Sequence, residues 1–125
     1  MSAGFPVIPD REGQTLRETL KRSLNPKAKI IQIATWNDWG EGTQVEPSKE
    51  YGYRDLEIIQ SFVQSNLKQP LKFQPSDLRY PKLLYDLRRQ VESLPPQLID
   101  KAIDAIVNDR PAELRELLQP YLDPR

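Results

Sequence analysis

The chain has 125 residues, which is enough for one domain with a modest hydrophobic core. Its 18 Lys and Arg residues balance 18 Asp and Glu residues, so no basic excess favours a nucleic acid or an anionic membrane as a partner. The absence of Cys and His excludes disulfides and Ser–His–Asp or Cys–His triads, and it leaves only carboxylates to hold a metal ion, so we expect no metal and no other cofactor. Acid–base chemistry must therefore rest on Asp, Glu, Tyr or Lys.

The sequence shows no targeting or membrane signal. Met1–Pro6 has no basic region followed by an apolar run, so it is not a secretory signal peptide. No apolar stretch reaches the length of about 20 residues that spans a bilayer. We therefore expect a soluble product, and the sequence leaves its cellular compartment open.

The first part of the chain predicts a loop, a helix and a strand, in that order. Gly and Pro residues make Met1–Gly13 a loop. Thr15 can cap a helix whose Leu residues recur at helical spacing up to Leu24, and Asn25-Pro26 ends it. Ile30–Thr35 is short, β-branched and nearly all apolar, which is typical of a strand covered on both faces in a parallel sheet. A helix followed by a buried strand indicates an α/β fold.

The rest of the chain predicts mainly helices. A long polar loop, Trp36–Gly52, precedes an amphipathic helix over Tyr53–Leu67 and a linker over Gln69–Pro75. Beyond the linker, three further amphipathic helices are predicted at Tyr80–Leu94, Gln97–Val107 and Ala112–Leu118. We place a boundary near Pro70, so that residues 1–69 form an α/β segment and residues 70–125 form a helical tail.

The loop Trp36–Gly52 holds the residues best suited to chemistry. Asp38 and Glu41 follow the predicted strand closely, and ligands bind beyond the carboxyl ends of parallel strands. Two carboxylates in different surroundings can serve as an acid and a base. Trp36 and Trp39 can form an apolar wall and stack on a sugar ring. Alternatively, the indoles plug a core or anchor the loop, and the Asp and Gly residues are ordinary turn formers.

A long motif around this loop resembles a known family. The run Thr35–Pro47, followed by Tyr51-Gly52-Tyr53 and Leu56-Glu57, resembles the C-terminal signature of the glycoside hydrolase family 99-like group. That group includes endo-acting α-mannosidases, related family 71-type enzymes and WbsX-type proteins. Its pattern is Trp or Phe, Asn, Glu, an aromatic residue, any residue, Glu, Gly and Thr, followed by a Glu-Pro-like pair and a Tyr-Gly step. The resemblance is strong over residues 28–60 and weaker over the loop Gly4–Gly13 and the helix Thr15–Leu24, which would follow strand seven. The tail beyond Pro70 does not share it.

The resemblance implies a barrel and assigns the two carboxylates. Ile30–Thr35 would be strand eight of a (β/α)8 barrel, and Tyr53–Leu67 would be helix eight. Glu41 matches the general acid that later acts as a base toward water. Asp38 falls where the family has a Glu that deprotonates the sugar 2-hydroxyl to give a 1,2-anhydro intermediate. Because Asp is shorter by one methylene, its carboxylate is set back by roughly 1–1.5 Å, and such a misplacement can cost ~10²-fold in rate. An inverting mechanism, which needs a wider gap for water, is the alternative.

The same motif suggests further residues of a carbohydrate site. The expected substrate-binding residues are Trp36, Asn37, Trp39, Thr43, Gln44, Glu46 and Tyr51. Of these, the polar residues between Asn37 and Glu46 either contact the substrate or support the residues that do. Tyr53 is instead expected to pack at the start of the helix.

The chain is too short for a whole barrel, which takes about 250 residues. We therefore expect the C-terminal portion of a longer polypeptide or a truncated reading frame, which alone is predominantly helical, inactive and able to self-associate through an exposed strand. Three functions are open. The first is a portion of a glycoside hydrolase acting on α-mannosides or α-glucans. The second is a non-catalytic carbohydrate-binding or polysaccharide-biosynthesis protein with the same barrel. The third is a helical protein-interaction module over residues 76–122.

Overall fold

The computed structural model describes residues 6–24, 27–66 and 70–122. Parts of four predicted elements lie outside these residues: the loop before Pro6, the helix-ending pair Asn25-Pro26, the last helical residue Leu67 and the first linker residue Gln69. The chain divides into two units, Met1–Leu67 and Lys68–Arg125, and each has its own packing.

The described residues contain five α-helices and no β-strand. The helices are α1 (Gln14–Ser23), α2 (Arg54–Asn66), α3 (Tyr80–Leu87), α4 (Leu98–Val107) and α5 (Pro111–Leu118). Three 3-10 helices accompany them, at Pro75–Arg79, Arg88–Ser93 and Gln119–Tyr121. No helix within the described ranges is long and apolar enough to cross a membrane. The prediction of a predominantly helical chain is confirmed.

Helix α1 begins at a glycine rather than at the predicted Thr15 cap. Gly13 precedes the helix with a φ of 80°, and its N–H donates to Asp10 Oδ2 at 3.2 Å. A Cβ on Gly13 would lie 2.6 Å from Ile58 Cδ1, so both the backbone conformation and the space require glycine. Thr15 lies inside the helix, where its hydroxyl donates to the carbonyl oxygen of Pro9 at 2.6 Å. The prediction of Thr15 as the cap is therefore wrong.

Helices α1 and α2 pack against each other in the first unit. Leu20 of α1 and Ile58 of α2 are the buried residues of the two helices, with 4% and 3% of their surface exposed. An open cavity of about 250 Å³ lies between them and is lined in part by Leu24 and Phe62. Leu24 remains 47% exposed, so the apolar faces of the two helices are only partly covered within this unit.

The predicted strand Ile30–Thr35 is absent as a strand. Its backbone groups from residue 30 to residue 34 make no hydrogen bond to another described residue. Ile30, Ile31 and Ile33 are exposed by 85%, 40% and 37%. A strand needs a neighbouring strand for its hydrogen bonds, and the described residues offer only the isolated bridge between Ser48 and Gly52. The described residues therefore form no β-sheet, and the assignment of this segment to an α/β barrel stays a prediction.

The second unit is a small helical bundle with its own core. The helix α3 is shorter than predicted, because 3-10 geometry replaces it after Leu87, whereas α4 and α5 begin within one residue of the predicted starts. Apolar residues at helical spacing meet in the centre. The buried core consists of Tyr80, Leu84, Leu87, Leu98, Ala102, Ala105, Leu114 and Leu118. Residues 76–122 thus bury much of their apolar surface against one another.

One buried ion pair joins the start of this bundle to α5. Asp77 is 5% exposed, and its carboxylate accepts hydrogen bonds from Arg115 Nε at 2.9 Å and from Arg115 NH2 at 2.6 Å. The N–H of Gln74 donates to Asp77 Oδ2 at 2.7 Å and caps the first 3-10 helix. Burial alone would raise the pKa of Asp77, but these hydrogen bonds and the charge of Arg115 outweigh it and hold the pKa below its ordinary value.

Candidate functional site

The predicted site residues from Trp36 to Glu46 lie on one loop that closes on itself. The N–H groups of Val45 and Glu46 donate to the carbonyl oxygen of Trp36 at 3.0 and 2.9 Å. The N–H of Thr43 donates to the carbonyl oxygen of Asp38 at 3.1 Å. These bonds bring the beginning and the end of the loop together, so the structure gathers these residues in one small region.

Asp38 is oriented by the backbone and hydroxyl groups around it. Its Oδ1 accepts a hydrogen bond from the N–H of Glu41 at 3.0 Å, and its own N–H donates to Thr35 Oγ1 at 3.1 Å. The hydroxyl oxygens of Thr35 and Thr43 lie 2.9 Å apart and share a hydrogen bond. Thr43 therefore supports the residues around the first carboxylate.

Glu41 lies at the exposed tip of the loop, and its carboxylate has no hydrogen-bond partner among the described residues. The following residue, Gly42, has a φ of 69°, and a Cβ there would meet nothing within 4 Å. Gly42 is therefore required by the turn and not by lack of space. The loop combines one carboxylate that is held by the backbone, on Asp38, with one that can turn toward a ligand, on Glu41.

The two indoles of the loop are not core plugs. Trp36 and Trp39 are exposed by 53% and 50%. Trp39 Nε1 donates a hydrogen bond to Glu46 Oε1 at 2.6 Å, so the carboxylate of Glu46 fixes the plane of this ring. Half-exposed aromatic faces beside carboxylates are suited to stacking on a sugar ring, which is apolar on its faces and polar at its edge.

Glu46→Ala is expected to release the indole of Trp39. The lost hydrogen bond should raise the exchange rate of the Trp39 indole N–H roughly fivefold and shift its NMR resonance, because a bond of this kind contributes about 1 kcal/mol net. The indole N–H of Trp36 is the internal reference, and Glu46→Gln, which keeps an acceptor oxygen, should show a smaller change. An unchanged Trp39 resonance in Glu46→Ala would show that the bond is absent in solution.

The remaining predicted residues are dispersed around this loop. Asn37 has an exposed side chain, and its carbonyl oxygen accepts a hydrogen bond from the N–H of Trp39 at 3.0 Å. The Oε1 of Gln44 is buried and has no partner within the described residues. Tyr51 is 41% exposed and follows the loop on a separate turn. Tyr53 is partly buried directly before α2.

Tyr51 lies on a tight turn from Ser48 to Gly52. The N–H of each end residue donates to the carbonyl oxygen of the other, at 3.2 and 2.9 Å. Ser48 Oγ also accepts a hydrogen bond from the N–H of Tyr51 at 2.9 Å. Gly52 has a φ of 57°, which closes the turn before the helix α2 begins. The backbone of Tyr51 is therefore fixed by its neighbours.

Sequence reasoning missed Arg54, whose side chain lies beneath Tyr51. Its guanidinium carbon is 4.0 Å from the centroid of the Tyr51 ring, and its NH1 and NH2 donate to the two carboxylate oxygens of Asp10 at 2.8 and 2.9 Å. Its Nε donates to Asp55 Oδ1 at 2.8 Å. Asp10 and Arg54 are 44 residues apart, so no local pattern in the sequence signals the pair.

The described part of the chain holds no group of three or more Asp or Glu residues placed to bind a metal ion.

Comparison with known proteins gives one match. Residues 9–59 match the family model described as Glycosyltransferase WbsX. No curated protein and no solved structure matches the chain. The matched segment includes α1, the apolar residues 30–34, the loop with both carboxylates and the first half of α2. The expected resemblance therefore holds at the coarse level of a carbohydrate-active family over this segment.

Proposed function

We propose that residues 9–66 form the C-terminal part of a (β/α)8 barrel that hydrolyses glycosidic bonds, with Glu41 and Asp38 as its carboxylates. One observation carries the proposal: the loop that follows the apolar segment 30–34 brings an oriented Asp38, an exposed Glu41 and two half-exposed indoles into one region. The family match over residues 9–59 supports a carbohydrate as the ligand.

Glu41 is proposed as the general acid. Its proton passes to the glycosidic oxygen as the bond between that oxygen and the anomeric carbon breaks. Asp38, as a carboxylate, accepts the proton of the sugar 2-hydroxyl in a retaining reaction, and that oxygen bonds to the anomeric carbon to give a 1,2-anhydro intermediate. In an inverting reaction it accepts the proton of the attacking water, whose oxygen bonds to the anomeric carbon. In the retaining case Glu41 then takes the proton of the water that opens the intermediate. The free carboxylate of Glu41 and the oriented carboxylate of Asp38 suit these two roles.

The barrel explains the apolar surface that the first unit leaves exposed. Ile30, Ile31 and Ile33 lie in a segment whose backbone has no hydrogen-bond partner among the described residues, and an open cavity lies between α1 and α2. In a barrel, parallel strands on both sides of residues 30–34 would satisfy the backbone, and the helices would cover the sheet. Full burial of an exposed Ile side chain contributes about 1.5–3 kcal/mol. Ile30 is 85% exposed and would gain most of this, whereas Ile31 and Ile33, at 40% and 37%, would gain a smaller part.

A non-catalytic carbohydrate-binding protein with the same barrel is the second candidate. The observation that favours this candidate is the residue at position 38: this chain has Asp where the α-mannosidases of the resembled family have the longer Glu. A carboxylate that is set back can still bind a hydroxyl when it cannot reach the reacting atom.

The experiment begins with the gene region upstream of Met1. An in-frame continuation with several strand–helix units is expected, and the longer polypeptide is then incubated with α-mannoside and α-glucan oligosaccharides. Hydrolysis by the longer polypeptide, and none by the 125-residue chain, is the predicted result. Binding without cleavage would favour the second candidate. A stop codon directly upstream, or turnover by the 125-residue chain alone, would refute the barrel proposal.

A further inference from the structure

The side chain of Arg54 connects three parts of the first unit. It is 23% exposed and contacts the loop before α1, the start of α2 and the aromatic ring of Tyr51. Its two terminal nitrogens pair with the two oxygens of Asp10, and its Nε pairs with Asp55. The guanidinium carbon lies over the ring of Tyr51, 4.0 Å from its centroid.

Only arginine can make this set of contacts at once. The guanidinium is planar, so its edge can bind a carboxylate through two parallel hydrogen bonds while its face stacks on an aromatic ring. Lysine carries the same charge but has a single ammonium group, which cannot do both. The contacts of Arg54 therefore depend on the shape of the side chain as well as on its charge.

Arg54 is itself anchored to the packed part of the unit. Asp10 accepts a hydrogen bond from the N–H of Gly13, and Gly13 lies so close to Ile58 that a Cβ would approach its Cδ1 to 2.6 Å. The buried contact between the two helices therefore fixes Asp10, and Asp10 fixes the guanidinium. The ring of Tyr51 rests on a support whose position is set by the core.

The turn that carries Tyr51 is continuous with the candidate site. Ser48, the first residue of the turn, comes two residues after Glu46, whose carboxylate holds the indole of Trp39. Because only one residue separates Ser48 from Glu46, a displacement of the turn would also move Glu46 and the indole of Trp39 that it holds.

We propose that Arg54 is a positioning residue that holds the ring of Tyr51 as a wall of the carbohydrate site. This inference rests on the proposed function for its ligand, an oligosaccharide. Arg54 acts through Tyr51 and does not itself touch the sugar. Asp10 belongs to the same device, because it orients the guanidinium from a distant part of the chain.

The first test uses the 125-residue chain and measures the NMR signals of the Tyr51 ring, identified by their loss in Tyr51→Phe. Arg54→Lys and Asp10→Asn are both expected to move these signals toward the values of an unstacked tyrosine while the helical circular dichroism is retained. Arg22→Lys is the matched control, because Arg22 is 80% exposed and pairs only with Glu18 in the described structure. Unchanged Tyr51 signals in both variants, with the fold intact, would overturn the proposal.

The second test measures oligosaccharide affinity in the longer polypeptide. Arg54→Lys is expected to weaken binding about fivefold, the scale of one aromatic–cation contact, but to have no further effect in a Tyr51→Ala background. An equal loss in both backgrounds would show that Arg54 does not act through Tyr51. If no variant, including the wild type, binds an oligosaccharide, the proposed function fails, and the NMR result still decides whether Arg54 positions Tyr51.

Discussion

Glu41→Gln is expected to lower the rate of glycosidic-bond cleavage by the longer polypeptide roughly 10³-fold, because general acid–base catalysis contributes about 10²–10⁴-fold. Glutamine has nearly the same shape as glutamate but has no acidic proton to give to the leaving oxygen. Since Glu41 is exposed and unpaired among the described residues, the substitution should disturb neither the loop nor the fold. Initial rates and calorimetric binding of the same oligosaccharide are the measurements, and affinity should change by less than about threefold.

Glu50→Gln is the matched control for this substitution. Glu50 is also exposed and lies on the turn that follows the loop. Glu50→Gln therefore removes the same charge at a nearby position. The rate of glycosidic-bond cleavage by Glu50→Gln should stay within about twofold of the wild-type rate. A Glu41→Gln variant that keeps more than a tenth of the wild-type rate would remove Glu41 from the chemistry.

Asp77→Ala is expected to destabilise the second unit by about 3 kcal/mol, because it leaves Arg115 and the N–H of Gln74 without their buried acceptor. This is a large part of the stability of a small domain. Urea unfolding followed by far-ultraviolet circular dichroism measures the loss. Trp fluorescence reports on the first unit alone, because both Trp residues lie there. The urea midpoint that it monitors should therefore be the same in Asp77→Ala and in the wild type. Glu116→Ala on the exposed side of α5 should cost less than about 0.5 kcal/mol.

The contribution of Asp77 should also depend on pH in a definite direction. Its pKa is lower in the folded chain than in the unfolded one, so the stabilisation is fully present above the unfolded value of about 3.9 and is lost as the pH falls through the folded value. The difference between wild type and Asp77→Ala should therefore be largest near neutral pH and shrink on acidification below about pH 4. A difference that is equally large at about pH 7 and pH 3 would contradict this assignment.

The sequence predicts those parts of the fold that depend on local pattern. The helices α4 and α5 follow from apolar spacing and from the Pro residues at their starts: Pro95-Pro96 precede α4, and Pro111 occupies the first position of α5, where its missing N–H costs nothing. The site loop is also predictable, because its residues are contiguous in sequence. The start of α1 at Gly13 is not, since it depends on the distant Ile58.

Two further features escape local reasoning because both partners of each interaction must be known. The strand at Ile30–Thr35 has the right composition but no neighbour to pair with in the described residues, and composition alone cannot supply one. In the sequence Arg54 is an ordinary residue near the start of a helix predicted from Tyr53. Its role emerges only when Asp10 and Tyr51 are placed around it.

The barrel proposal is tested most directly by hydrogen–deuterium exchange of the backbone amides at residues 31–34. In the 125-residue chain these amides should exchange at nearly the unprotected rate, because they have no hydrogen-bond partner among the described residues. In the longer polypeptide, strand pairing should slow them by ~10³-fold or more. The amides of Ala102 and Ala105, which are fully buried in α4, should be protected in both and serve as the reference. Equally fast exchange at residues 31–34 in the two polypeptides would contradict the proposal that this segment is a strand of a larger barrel.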